Sequence, residues 1–171
     1  MCPTWIARPW SPDGHFVAAY FSRSAELADW NDIGAGTAPD VGQGVLLLDL
    51  EAQTARTLFE WEGPFVGALT TLRWQPGGRL LLIQVQAAPR VAEQAGLWLA
   101  DPDSDELTAL PVPAYDADWS PDGRWIAAID LDDRERLLLV NARQPAVEPI
   151  VRRWPYGLEG LSWRPVAAAM P

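Results

Sequence analysis

The chain has 171 residues, 49% of them hydrophobic, with 13 basic against 23 acidic side chains and a net charge of −10. That length allows one domain with a sizeable core. The acidic balance excludes the basic face that nucleic acid or an anionic bilayer surface would require, and the single cysteine, Cys2, excludes an internal disulfide.

The opening residues, MCPTWIARPW, lack a basic stretch followed by an apolar one, so no secretory leader is expected. Cys2 is read as a free thiol near a frayed terminus. The longest apolar runs, VLLLDL (45–50) and RLLLIQV (79–85), fall far short of a bilayer span. The chain is therefore read as soluble and cytoplasmic.

In chain order, a first strand TWIARPW (4–10) ends at an indole and meets the turn SPDG, followed by a second strand, HFVAAYF (15–21). Residues 22–44 are rich in Gly, Ala and Asp with no sustained period, and read as an inserted loop that is the least regular part of the chain. A third strand, GVLLLDL (44–50), and a fourth, ARTLFEW (55–61), follow. The grammar then repeats. LRWQPGGRLLLIQV leads to GLWLAD (96–101) and ELTALPV (106–112), and ADWSPDGRWIAAID leads to RLLLVNA (136–142) and VEPIVRRW (147–154). A fragment, LSWRPVAAAM, closes the sequence.

The indoles Trp10, Trp74, Trp119 and Trp163 mark the period, at spacings of 64, 45 and 44 residues, the first stretched by the insertion. In each turn, proline presets φ at the second position and glycine takes the φ that other residues resist. Short strands at regular intervals, without a helical period, give an all-β class. The third strands are apolar on both faces: Leu46, Leu48 and Leu50 oppose Val45 and Leu47, and Leu137 and Leu139 oppose Leu138 and Val140. Sheets covered on both faces must stack on similar sheets. The sequence thus predicts four-stranded blades of a β-propeller, three complete (4–61, 69–112, 115–154) and an incomplete fourth (157–170), in one domain over 1–171.

The run Trp-Ser-Pro-Asp-Gly, then a basic residue and an Ile-Ala-like strand, resembles the TolB-type propeller repeat, a relative of WD-repeat propellers. The match is complete at 119–124, close at 10–14, weaker at WQPGGR (74–79), and lost at WRPV (163–166). The resemblance implies a bacterial scaffold that binds a protein or peptide, leaves a periplasmic location open, and carries no catalytic group in its repeat. Trp10, Trp74 and Trp119 are read as packing between blades.

No GxSxG, HExxH, P-loop or CxxC is present. The one histidine, His15, takes the position after the turn that Arg79 and Arg124 take elsewhere, and reads as a solvated turn residue. Asp116 and Asp118 lie close enough for an acid and base pair, yet such acids are ordinarily solvated. DPDSDE (101–106) lacks the glycine and distal glutamate of a calcium loop and reads as an acidic turn. No cofactor, metal or catalytic residue is expected, and the chain is read as not an enzyme. Connections from a fourth strand to the next first strand collect aromatics. With Trp30 of the insertion, the candidate ligand-binding rim is Trp30, Trp61, Phe65, Tyr115, Asp116, Trp154 and Tyr156. The leading reading is a noncatalytic binding or assembly module; the alternative is an enzyme or accessory subunit acting on a saccharide or peptide at the channel face. Because rings close with about four to eight blades, a homodimer with strand exchange at the junctions is expected to complete the ring; the alternatives are a larger ring to which each chain gives a half-formed fourth blade, or a propeller completed by a different protein.

Overall fold

The computed structural model describes residues 9–23, 40–64, 70–85, 95–104, 106–161 and 163. Among them there is no helix, and eleven strands form three antiparallel sheets. The first sheet is β1 (Phe16–Ser22), β2 (Asp40–Asp49) and β3 (Thr54–Pro64). The middle sheet is β4 (Thr70–Trp74), β5 (Leu81–Val85), β6 (Gly96–Asp101) and β7 (Glu106–Leu110). The third is β8 (Ala114–Trp119), β9 (Trp125–Asp130), β10 (Arg136–Asn141) and β11 (Ile150–Arg153). Strands lie side by side in chain order in each sheet, the arrangement of partial propeller-type blades.

Two apolar cores bind the three blades. One joins Phe16, Ala18, Val45, Leu47 and Trp61 of the first blade to Leu72, Trp74, Leu81 and Ile83 of the middle one. The other joins Leu82, Leu97, Leu99 and Leu110 of the middle blade to Ala117, Trp119, Ile126, Leu138 and Val140 of the third. The middle blade is thus buried on both sides, which explains why all five residues of β5 are buried.

The indoles at the ends of β4 and β8 span these junctions. Trp74 and Trp119 are 7% and 3% exposed. Trp74 Nε1 donates to the Pro9 carbonyl at 2.9 Å, and Trp119 Nε1 donates to the Arg73 carbonyl at 2.9 Å. Each bond reaches back to the residue that precedes the indole of the preceding blade. Trp10 departs from the reading that placed it between blades: it is 57% exposed, because no described blade precedes it.

The turns show why serine, aspartate and glycine recur together. Ser120 Oγ donates to Asp122 Oδ1 at 2.6 Å and accepts the Trp125 amide at 3.0 Å, while Asp122 Oδ1 also accepts the Arg124 amide. Ser11, Asp13, His15 and Phe16 repeat the same set. The serine hydroxyl and then the following amide hold both carboxyls below the ordinary value of 3.8. Lowered carboxyl pKa values favour the fold above about pH 4, and that contribution fades as pH falls through the lowered values. In the middle blade Gln75 takes the serine's part, its Oε1 accepting the Leu80 amide, while its Nε2 donates to the Gly123 carbonyl of the third blade at 2.6 Å.

Boundaries shift where glycine hides a strand. The segment 22–44 was read as a loop, yet β1 continues to Ser22 and β2 begins at Asp40, with Gln43 fully buried. At Gly44 a Cβ would lie 2.1 Å from the Phe59 carbonyl, so only glycine lets β3 approach there, beside the register shift between Val45 and Leu46. Residues 24–39, the rest of the expected insertion, lie outside the described residues, as does most of the first strand expected at 4–10. The first sheet therefore shows three strands. Its innermost position is marked by the Trp10–Val17 bridge and by the Ala18 amide donating to Pro9 at 2.8 Å.

Two turn glycines with similar φ separate strain from contact. Gly14 (φ 77°) has nothing near a built Cβ, whereas at Gly123 (φ 66°) the Cβ would meet the Pro76 carbonyl at 2.6 Å. Gly14→Ala is expected to cost about 1 kcal/mol, and Gly123→Ala at least about 2 kcal/mol, in urea unfolding. Equal losses would contradict the close approach of the two turns.

Candidate ligand-binding rim on the third blade

The candidate site forms where three connections meet at one end of the third blade. In β8, Ala114 pairs with Asp130 and Asp116 with Ile129, leaving Tyr115 as the extra residue of a bulge. A bulge re-aims a side chain. Tyr115 lies under Arg134, whose guanidinium carbon is 3.7 Å from the ring centroid. Such a contact combines cation–π attraction with stacking.

Arg134 sits in the turn between β9 and β10, which Asp130 organises. The Asp130 side chain is 6% exposed, accepts the Asp132 amide at 3.0 Å and pairs with Arg136 at 2.8 Å. The connection leaving β11 is bonded along that turn. The Trp154 amide donates to the Glu135 carbonyl and the Leu158 amide to the Arg134 carbonyl, both at 2.8 Å. Farther on, the Leu161 amide donates to Asp116 Oδ2 at 3.1 Å. With its backbone pinned, this connection leaves Trp154 and Tyr156 55% and 76% exposed.

Toward the inner strands, Arg73 of β4 pairs with Asp116 at 3.2 Å and Asp118 at 3.3 Å and donates to the Ala117 carbonyl at 2.5 Å. The two carboxylates considered as an acid and base pair lie on β8 and share one guanidinium. Their geometry is that of an interblade clamp.

Four of the seven expected rim residues, Tyr115, Asp116, Trp154 and Tyr156, come together here. Trp61 does not: it is 4% exposed because β3 runs on to Pro64, so Trp61 lies inside a strand opposite Gln43, against Tyr20 and Phe59. Trp30 and Phe65 lie outside the described residues. The reading of the sequence missed Arg134 and Arg73. Arg73 alternates with the buried Leu72 and Trp74 on a first strand, a position that signals a side chain turned to the other face. His15 is a turn residue 3.2 Å from Glu51, and in DPDSDE the Asp103 carboxylate is used by Arg79.

No family model matches the chain, and no curated protein matches it. Among solved structures it is similar to one described as oligogalacturonate lyase in complex with manganese, with a TM-score of 0.57, 12% identity, and coverage of 82% of this chain and 39% of that one. At that identity the likeness is one of fold, and the chain spans well under half the length of that neighbour. It nonetheless corrects one expectation. The expectation that the chain is not an enzyme rests on the repeat's lack of a catalytic group, but the neighbour of similar fold is an enzyme, so the fold does not exclude catalysis.

Removing the shared cation leaves Asp116 and Asp118 as uncompensated like charges side by side on β8. Arg73→Met is expected to lower stability by roughly 1–3 kcal/mol, with part of the loss recovered in 1 M salt, where the two carboxylates are screened. Unchanged urea unfolding would show that the clamp contributes nothing.

Proposed function

We propose that the chain is a TolB-type propeller module that engages a protein or peptide partner through the rim of its third blade. The observation that carries this reading is the exposure of Trp154 and Tyr156 on a hydrogen-bonded connection beside the Arg134–Tyr115 pair. Trp, Tyr and Arg dominate the energetics of protein interfaces, since they offer large contact area and directional polar atoms. A pinned backbone lowers the entropic cost of ordering them on binding. A saccharide is the second reading, supported by the oligogalacturonate named for the structural neighbour and by the flat faces that exposed rings offer a sugar.

The test is selection of a displayed library of unstructured peptides on the full chain. The double variant Trp154→Ala/Tyr156→Ala serves as the counter-screen. Both side chains are exposed, so the variant should unfold nearly as the parent does, while selected peptides should lose at least tenfold in affinity. Peptides that bind both proteins equally would overturn the rim. Titration with oligogalacturonate that saturates the parent and not the variant would decide for the saccharide.

A further inference from the structure

We propose that two copies of this chain close one ring, the segment 157–163 of each serving as the innermost strand of the other's first blade. The inference begins with two unfinished apolar faces. In the middle and third blades, the residues that face the preceding blade are buried: Leu81 and Ile83 on β5, Ile126 and Ala128 on β9. Strand register makes Val17 and Ala19 their counterparts, since Trp10 pairs with Val17 as Trp74 does with Leu81 and Trp119 with Ile126. Yet Val17 and Ala19, with Leu48 and Leu46 opposite them on β2, are only half-buried.

The far face of the third blade is unfinished in a different way. Its inner half, Ala127 and Ile129, is buried, whereas Leu137 and Leu139 are half-buried and Ile150 is 41% exposed. That pattern fits a following blade whose first strand is in place and whose outer strands are not among the described residues. Residues 157–161 and 163 hold the place of the first strand: Leu161 is tied to Asp116, and Trp163 keeps its indole nitrogen buried with no acceptor among the described residues. Among the described residues the segment pairs with no strand.

The turns carry a matching half-made contact. Asp13 Oδ2 receives Arg79 Nε of the following blade at 3.0 Å. Asp122 is held by Ser120 and Arg124 as Asp13 is held by Ser11 and His15, and its second oxygen has no partner among the described residues.

A second copy fills all three gaps, because both unfinished faces belong to this chain and a two-fold axis brings each to the other. In the composite blade Trp163 stands opposite the partner's Val17 and Leu161 opposite the partner's Ala19. Trp74 and Leu72 stand in the same way opposite Leu81 and Ile83. The partner's His15 then takes the place at Asp122 that Arg79 takes at Asp13. Residues 9–10 give up their hold on β1, which among the described residues is the one bridge made by two backbone bonds at Pro9 and Ser11, and the Trp74 indole exchanges the Pro9 carbonyl for the one ahead of the partner's Trp163. Three blades from each copy give a six-bladed ring with no open apolar face or inner edge.

Sedimentation equilibrium of the full chain at micromolar concentration should return the mass of two chains; a folded monomer overturns the proposal. The register is tested in a Cys2→Ser background. Chains carrying Ala19→Cys and chains carrying Leu161→Cys are mixed and oxidised, and their folding is checked by circular dichroism. A covalent dimer is expected from the mixture and not from either alone. A dimer by mass that fails to cross-link, with both variants folded and dimeric, overturns the strand exchange. If either variant fails to fold, Asp122→Arg in the parent is expected to weaken dimerisation at least tenfold, and an unchanged dissociation constant overturns the seam.

Discussion

The structure hangs on an indole N–H crossing from one blade to the backbone of the one before it. A β-sheet buried on both faces has no natural stop to sliding, since aliphatic surfaces give attraction without direction. A hydrogen bond inside an apolar junction supplies direction, because a misplaced sheet would leave a buried indole N–H unpaired. Trp74 and Trp119 each make that bond to the residue ahead of the preceding indole. Tryptophan suits the task, being large enough to fill the space between blades and having a donor at its far end. The inner strands are thereby fixed relative to one another, and what rides on them inherits the spacing: the Arg73 clamp between β4 and β8, the turns at one end, the rim at the other.

Much of this was legible because the devices are local and repeated. The Ser-Pro-Asp-Gly turn, the alternation of the following strand and the doubly apolar third strands each name their structural role. Where the devices are not local, the sequence misleads. Gly42 and Gly44 suggest a loop, but glycine at 44 is what lets β3 approach β2, a requirement set by residues fifteen positions away. That same extension of the hairpin carried Trp61 from the expected end of a strand, at the rim, into the core. WQPGGR looks like a decayed turn, yet Gln75 closes it from within and reaches the third blade as well.

The candidate site was legible in composition and not in geometry. Aromatics in the connection after β11 stand out in the sequence, and two of them are indeed exposed. What assembles them is a bulge at Tyr115 and an arginine in the turn between β9 and β10, and neither has a signature in a single sequence. The same limit applies to chemistry. Two aspartates two residues apart can serve as acid and base or share one guanidinium, and only the position of Arg73 on the neighbouring inner strand distinguishes these outcomes.

The central claim is that the interblade indole bond, beyond the bulk of the ring, holds the blades in register. Trp119→Phe keeps an aromatic ring and removes the donor, so the Arg73 carbonyl loses its interblade partner; Trp10→Phe makes the same change at an indole that is 57% exposed. Urea unfolding of the two variants beside the parent is the direct measurement. The account predicts a loss of roughly 1–3 kcal/mol for Trp119→Phe and less than about 0.5 kcal/mol for Trp10→Phe. Equal losses, or a Trp119→Phe variant as stable as the parent, would contradict it.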